Sequence, residues 1–503
     1  MKTLSVDVGP GISDLRIAAV WVFVVLNLAV FSMCLLSVWR YGSLFATTGG
    51  EPLAVYPIWK GLHHRPIYEW PLVFPFALGL YNYLFYSAYA LFLRLFGVQD
   101  ADIMIWGRLL TVAFAVLGAI AQWKLVQSHL KLRGTRSVLS FFFALSLWLC
   151  TSMARQWALS IRTDIAAAAL VMVALLVVAR QSRFSFAYAG VLFYLAWSFK
   201  QSEVLALVAV CLFLLFQKRW RDLTVLATVF AALAAVTLLA GSPQYRYNIL
   251  VAPRLIAWSL AWAARIAPKA LAANAYWVLA PFALLRAADT PRVNNTVRML
   301  ITVLAVALLG GLAGMTKVGA WDNYLFEAFA AGSTLLQLAI FSAPGRLVGA
   351  LVLLGCAQPA VQLATVPTGA HPHTFGTVGI ANAAEYADAE TMRVRMAQLE
   401  KPIFTTDEFL SLPWFSTDNG ATPLVIDSKF HEATRASCSN GCVEGMLQRG
   451  EIPTVMLSDA DVTYQQSLSP NYKKVGEASY SGTRWSIYVL NTPMPSPSSA
   501  IGQ

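Results

Sequence analysis

Between residues 17 and 365 the chain returns again and again to apolar runs near the ~20 residues that an α-helix needs to cross a bilayer. Such runs fall at 17–38, 106–123, 138–155, 164–180, 185–199, 202–217, 223–241, 273–286, 298–315, 324–342 and 346–365, which predicts about eleven transmembrane helices. Inside a bilayer each backbone polar group must find its partner within the protein, and a helix satisfies that demand segment by segment. Composition agrees. Of the 503 residues 57% are hydrophobic and only 13% charged, against about a quarter charged in soluble domains. The expected fold class is a polytopic α-helical membrane protein.

The loops between these runs divide by charge. Segments KLVQSHLKLRGTR (124–136), RQSR (180–183), QKRWRD (217–222), RAADTPRVNNTVR (286–298) and SAPGR (342–346) would share one end of the bundle. All are short and basic, so that end and the N-terminus are expected in the cytoplasm. This bias accounts for most of the formal net charge of +11 without any nucleic-acid partner. The loops at 40–105, 156–163, around 200, 242–272 and 316–323 then face outward, as does the C-terminus. No internal repeat is visible, which counts against transporter architectures built from duplicated halves.

Past residue 365 the composition becomes that of a soluble domain. Strand-like runs PIFTT (402–406), PLVID (423–427), TVMLS (454–458) and RWSIYVL (484–490) alternate with helical stretches such as AAEYADAETMRVRMAQL (383–399). The expected organisation is a membrane domain over 1–365, with its first outer loop at 40–105, and a small α/β domain outside the membrane over 366–492. A Pro/Ser-rich tail at 493–503 is expected to be disordered. His371 and His373 fall in the linker. Cys34, Cys150, Cys211 and Cys356 lie in apolar runs, where a free cysteine acts as a small hydrophobe. Cys438 and Cys442 sit close together in CSNGC, and an oxidising compartment favours a disulfide there over two free surface thiols.

The first outer loop opens with EPLAVYPIWKGLHHRPIYEW (51–70), which concentrates acids, bases, prolines and aromatic rings beside an apolar span. Its tryptophans and tyrosines suit the membrane interface. An aromatic helix is expected over 74–97, lying against the membrane rather than crossing it. The adjacent histidines His63 and His64 point in different directions on any regular element, so they are not expected to share a metal ion. Three other outward elements carry charge at membrane depth, where ionisable groups are costly and usually functional. They are RQWALSIRTD (155–164), SFKQSE (198–203) and TKVGAWDNY (316–324). Acids and cations ringing one cavity suit transfer chemistry with a phosphate leaving group. The cations would neutralise the phosphate and a carboxylate would take the proton of the attacking hydroxyl.

The order of these elements is familiar. An acid after the first span precedes GLHHRPIY (61–68), then come LRLFG (93–97), GRLL (107–110), RTDIAAAAL (162–170), the SFKQSE turn and DNYLFEAFAA (322–331). The set resembles bacterial membrane glycosyltransferases of the GT-C fold, family-39-like members of the superfamily of protein O-mannosyltransferases and lipid A aminoarabinose transferases. The resemblance implies transfer of a sugar from a polyprenyl-phosphate donor to a lipid, glycan or protein acceptor on the outer face of the inner membrane. It implies Glu51 as the catalytic base, with Asp164 as a second outer acid. Many relatives carry Asp-Glu where this chain has Gly50-Glu51, so the paired acid is missing. It further implies Lys200 and its neighbour Gln201 at the donor phosphate, with Arg162 and Arg65 as further phosphate ligands. Tyr68, Asn323 and Tyr324 are implied at the sugar or acceptor. A divalent cation is the one cofactor left open.

Two other classes compete. A transporter or flippase would place ionisable groups within its spans, whereas most here lie near span ends. A non-catalytic scaffold has no need of charges converging on one side. The topology has a direct check: a reporter active only outside the cytoplasm should work when fused after Thr365 and fail at Gly134. The reverse result would invert the expected sidedness.

Overall fold

The computed structural model describes residues 10–287, 295–342, 346–365, 383–416, 424, 427–438, 441–480 and 482–491. The expected domain boundary at 366, His371, His373 and the tail at 493–503 lie outside these. The membrane domain is built from α1 (Pro10–Tyr41), α2 (Glu51–Leu62), α3 (Tyr83–Leu95), α4 (Ile103–Leu130), α5 (Gly134–Leu149), α6 (Ser152–Ala158), α7 (Thr163–Arg180), α8 (Ser185–Phe199), α9 (Leu205–Phe216) and α10 (Trp220–Ala240). Short helices α11 (Pro243–Arg246) and α12 (Ala252–Leu255) lead into α13 (Leu260–Ala273), α14 (Ala275–Val278) and α15 (Ala280–Ala287). The bundle closes with α16 (Asn295–Gly314), α17 (Phe326–Ser342) and α18 (Arg346–Thr365).

Among the described residues, six helical segments are long and apolar enough to cross a membrane: Ile17–Leu44, Asp100–Leu130, Thr163–Arg180, Trp220–Ala240, Asn295–Gly314 and Asp322–Ser342. Shorter apolar helices at Gly134–Leu149, Ser185–Phe199, Leu205–Phe216, Ala275–Leu285 and Leu347–Val361 pack with them. The chain is thus a multi-pass membrane protein. Helices α7 and α17 are its centre. Small side chains make this possible: Ala166–Ala169 on α7 and Ala328, Ala330, Ala331 and Gly332 on α17 are all buried and let backbones approach closely.

A polar network fixes the register of the central helices. The Gln122 side chain on α4 donates to Gln337 on α17 at 2.7 Å, and Gln337 donates to the Ser140 carbonyl and hydroxyl on α5. Trp148 and Ser333 donate back to Gln122 Oε1, each at 2.8 Å. A buried network whose members are all bonded specifies one packing, because any slip leaves a polar group unpaired. Trp148 reaches Gln122 only because position 118 is glycine: a Cβ there would lie 2.4 Å from the indole ring.

Several elements differ from expectation. Residues 51–62 form helix α2 rather than loop, with Pro52 in its first turn, where proline is tolerated. The aromatic helix starts only at Tyr83, after a non-helical stretch that includes Pro75, and Asn82 caps it. The expected span at 138–155 breaks at Cys150 and Thr151, where Arg155 donates to the Cys150 carbonyl at 2.9 Å.

The C-terminal α/β region contains helix α19 (Ala383–Ala397) and a four-stranded sheet of β1 (Ile403–Thr405), β2 (Thr454–Ser458), β3 (Tyr472–Tyr480) and β4 (Thr483–Leu490). The strand order is β1-β2-β4-β3, with β1 and β2 parallel and the other pairs antiparallel. Strand β3 was not anticipated; it lies at the edge, and its charged, half-exposed residues lack a strand's apolar alternation. Of the PLVID run only Leu424 and Asp427 are described. Asp427 ends no strand; it N-caps the helix Ser428–Thr434 through a bond from the Phe430 amide. Cys438 and Cys442 form a disulfide with Cα atoms 5.3 Å apart, while Cys34, Cys150, Cys211 and Cys356 are free. The domain docks on the end of the bundle opposite the basic loops: the Tyr480 hydroxyl donates to the Leu44 carbonyl at 3.0 Å and its ring stacks on Phe45.

Candidate active site

At that same end the chain gathers two groups of buried charges. The first centres on Asp164, in the first turn of α7, where the helix dipole favours an acid. Its Oδ1 accepts from Lys200 Nζ at 2.7 Å and from the Asn323 side chain at 2.9 Å. Its Oδ2 has no hydrogen-bond partner and faces Arg162 Nε, itself unbonded, at 3.6 Å. Lys200 also bonds Glu203 Oε1 at 2.8 Å and the Asn323 carbonyl at 3.3 Å. Arg162 donates to the Gly49 carbonyl at 3.2 Å and lies over the Tyr81 and Trp157 rings. Lys200 sits 5.1 Å from the Tyr324 ring.

The electrostatics follow from burial. Arg162, Asp164, Lys200 and Glu203 are each less than a tenth exposed, so no charge here can stand without a partner. Burial works against the Lys200 ammonium, but the carboxylates of Asp164 and Glu203 outweigh it and hold the lysine above its usual range. Burial raises the Glu203 carboxyl despite the opposing pull of Lys200. Two further acids complete the group: Glu327, which the sequence reading passed over, and Asp322 of the TKVGAWDNY element. Glu327 caps the start of α9, accepting from the Leu205 and Ala206 amides at 3.2 and 2.8 Å. Asp322 accepts from the Trp157 indole at 3.0 Å.

The second group centres on Glu51. Its Oε1 accepts from Arg108 Nε at 3.0 Å and the Ile161 amide at 2.6 Å. Its Oε2 accepts from Arg108 Nη2 at 2.9 Å and from the Thr47 amide at 2.7 Å, while the Thr47 hydroxyl lies between Oε2 at 3.0 Å and the Leu159 carbonyl at 2.9 Å. The four N–H donors alone fill a carboxylate, which offers about four lone-pair sites. Glu51 is fully buried and lies within a bidentate ion pair, not open to a cavity. Arg108 further binds the Gly42 and Phe45 carbonyls, both at 2.6 Å, so the pair ties the loop after α1 to α2, α4 and the turn at 161. The signal for Arg108 was available: it is an arginine within an apolar span, in GRLL.

The remaining expected residues divide between the two groups and their surroundings. Gln201 donates to the Leu80 carbonyl at 2.7 Å and Tyr68 to the Tyr81 carbonyl at 2.8 Å. Both therefore position the segment that lays Tyr81 over Arg162. Arg65 stacks on Trp59 at 4.8 Å, beside the Lys60–Glu69 ion pair, and no contact among the described residues joins it to Asp164. His63 bonds Asp100 at 2.7 Å, apart from both groups. Gly50 has φ +73°, and a Cβ there would lie 2.8 Å from Arg162 Nη1. Glycine at that position lets the guanidinium rest against the backbone. Among the described residues no three His, Cys, Asp or Glu side chains could hold a metal ion. Asp164 and Glu51 are each paired with cationic side chains.

No family model and no curated sequence matches the chain. Solved structures do. The crystal structure of ArnT from Cupriavidus metallidurans bound to undecaprenyl phosphate is similar over 92% of this chain and 98% of its own, with a TM-score of 0.60 and 12% identity. Its apo state is similar over 92% and 97%, with a TM-score of 0.59 and 13% identity. The chain therefore has the GT-C fold of ArnT.

The Glu51–Arg108 pair makes a stability prediction. Arg108→Met strands a buried carboxylate and should cost about 3–5 kcal/mol, whereas Arg108→Met combined with Glu51→Leu should recover much of it. Thermal unfolding in detergent measures both; a double variant no more stable than the single would remove the pair from this structural role.

Proposed function

We propose that this protein is a glycosyltransferase of the inner membrane that moves a sugar from a polyprenyl-phosphate donor onto an acceptor hydroxyl at the outer face. The observation that carries this reading is the cluster of Arg162, Lys200 and Asp164, buried together at one end of an ArnT-like bundle. In support, the ArnT of that fold was solved with undecaprenyl phosphate bound. The short basic loops at the opposite end favour an outward-facing cluster and a cytoplasmic N-terminus.

In the proposed reaction the acceptor oxygen attacks the anomeric carbon, the bond from that carbon to the phosphate oxygen breaks, and polyprenyl phosphate leaves. Lys200 and Arg162 bind the phosphate and offset the charge that it gains. The proton goes to a carboxylate. Asp164 is the better candidate, because its Oδ2 has an open acceptor position while both oxygens of Glu51 are filled. Glu51, the base implied by its place in the chain, is assigned to holding Arg108 and the first outer loop. A donor phosphate competing for Lys200 and Arg162 would draw them from Asp164 and free its carboxylate to take the proton. Because the cluster is buried, Tyr81, Trp157 and Tyr324 must shift for a phosphate to enter. The acceptor, whether lipid, glycan or protein, is not fixed by this chemistry.

Polyprenyl phosphate released from a library of labelled donors measures turnover. Asp164→Asn should lower it by about 10²–10⁴-fold with donor binding retained, the usual contribution of a general base. Lys200→Ala should weaken donor binding instead. Near-normal turnover in Asp164→Asn would remove the base assignment. Donor crossing the bilayer without release of polyprenyl phosphate would favour transport.

A further inference from the structure

At the end of the bundle remote from Asp164, the ends of α4, α5 and α7 enclose a cleft. Four cationic side chains line it: Lys124, Lys131, Arg133 and Arg180. All four are exposed, and among the described residues none of them forms an ion pair. Its apolar lining includes Leu132 and Leu176, both buried. Lys131 and Arg180 close the C-terminal ends of α4 and α7, where the helix dipole favours a cation. The dipole accounts for those two charges singly. It does not account for their meeting Lys124 and Arg133 around one concavity with no acid in its lining.

The surroundings give the depth of the cleft. Trp123, whose indole donates to the Ser137 carbonyl at 3.0 Å, lies beneath the Lys124 ammonium at 4.1 Å. Tryptophan at the end of a span marks the headgroup level of a bilayer. On α4 the exposed Leu117, Ile120 and Lys124 fall on one face at helical spacing, so an apolar track leads directly to a cation. Exposed Val138, in the first turns of α5, continues the apolar surface beside the cleft.

We propose that this cleft binds the phosphate of an anionic phospholipid, whose acyl chain follows the Leu117–Ile120 face of α4. The phosphate sits among Lys124, Lys131, Arg133 and Arg180, giving a lipid site on the basic face separate from the Asp164 cluster. Charge complementarity selects an anionic headgroup, and the adjoining apolar track selects a lipid over a free anion.

Full-length protein in a neutral detergent can be titrated calorimetrically with short-chain phosphatidylglycerol, the matching phosphatidylcholine and inorganic phosphate. Phosphatidylglycerol should bind, phosphatidylcholine should not, and phosphate should bind at least roughly ten-fold more weakly. Replacing Lys131, Arg133 and Arg180 together by Gln should weaken phosphatidylglycerol binding by roughly ten-fold or more. Lys200→Ala, at the other end, should leave it unchanged. Equal binding of the two lipids, or unaltered affinity in the triple variant, would overturn the site. Phosphate binding as tightly as phosphatidylglycerol, and lost in the same variant, would assign the cleft to a free anion and overturn the lipid. Should the triple variant fail to elute as wild type, the three-ligand comparison on the unmodified protein and the single variant Arg133→Gln decide the matter.

Discussion

The Asp164 carboxylate holds together three parts of the chain that are far apart in sequence. Through Oδ1 it joins α7 to the turn between α8 and α9 by Lys200, and to the start of α17 by Asn323. Each of these groups is buried, so each depends on the others for its charge or its hydrogen bonds. A membrane bundle gains little hydrophobic drive for packing one helix on another in lipid, and polar contacts carry more of the specificity. The same contacts are the ones that chemistry would use. Arg162, facing the open Oδ2, leaves a donor and an acceptor unfilled inside the cluster. Such atoms are expensive in a purely structural core and suit a site that is completed by a ligand.

The Glu51–Arg108 pair stands beside this cluster and has a different character. Its hydrogen bonds are complete, and they join the loop after α1, the start of α2, α4 and the turn at Ile161. That turn leads directly into Arg162. The pair therefore sets where the guanidinium lies, and Gly50 supplies the space against which it rests. The C-terminal α/β region packs against this part of the bundle: Tyr480 and Phe409 lie in parallel, and Tyr480 stacks in turn on Phe45, whose carbonyl Arg108 binds.

Much of the bundle was legible in the sequence because lipid imposes a simple rule on span length and apolarity. The helices at Thr163–Arg180 and Ser185–Phe199 fall where the apolar runs predicted them. The break at Cys150–Thr151 was not legible, because no proline or charge run marks it within the apolar stretch, whereas Pro281 marks the one at Leu279. At the site, Asp164, Lys200, Arg162 and Asn323 could be picked out as polar groups at span ends, and the fold brings them together. The bonds of Gln201 and Tyr68 to backbone carbonyls and the stacking of Arg65 on Trp59 could not, since sequence does not show which partner a polar side chain meets. Glu51 shows the same limit: its position marked it as important, but only the fold shows its bonds from Arg108, the Ile161 amide and the Thr47 amide. Glu327 and Arg108 were missed as members of the site because each lies inside an apolar run that reads first as membrane span.

The claim on which the account rests is that the Asp164 cluster is a phosphate site for a lipid-linked sugar. Electron cryomicroscopy of the full-length protein in nanodiscs with undecaprenyl phosphate tests it most directly. The account predicts phosphate density within hydrogen-bond distance of Lys200 Nζ and the Arg162 guanidinium, with Asp164 Oδ2 turned toward the space beside it. A lipid phosphate seated instead at Arg65 and Lys60, with the bonds from Lys200 to Asp164 and Glu203 unchanged, would contradict it.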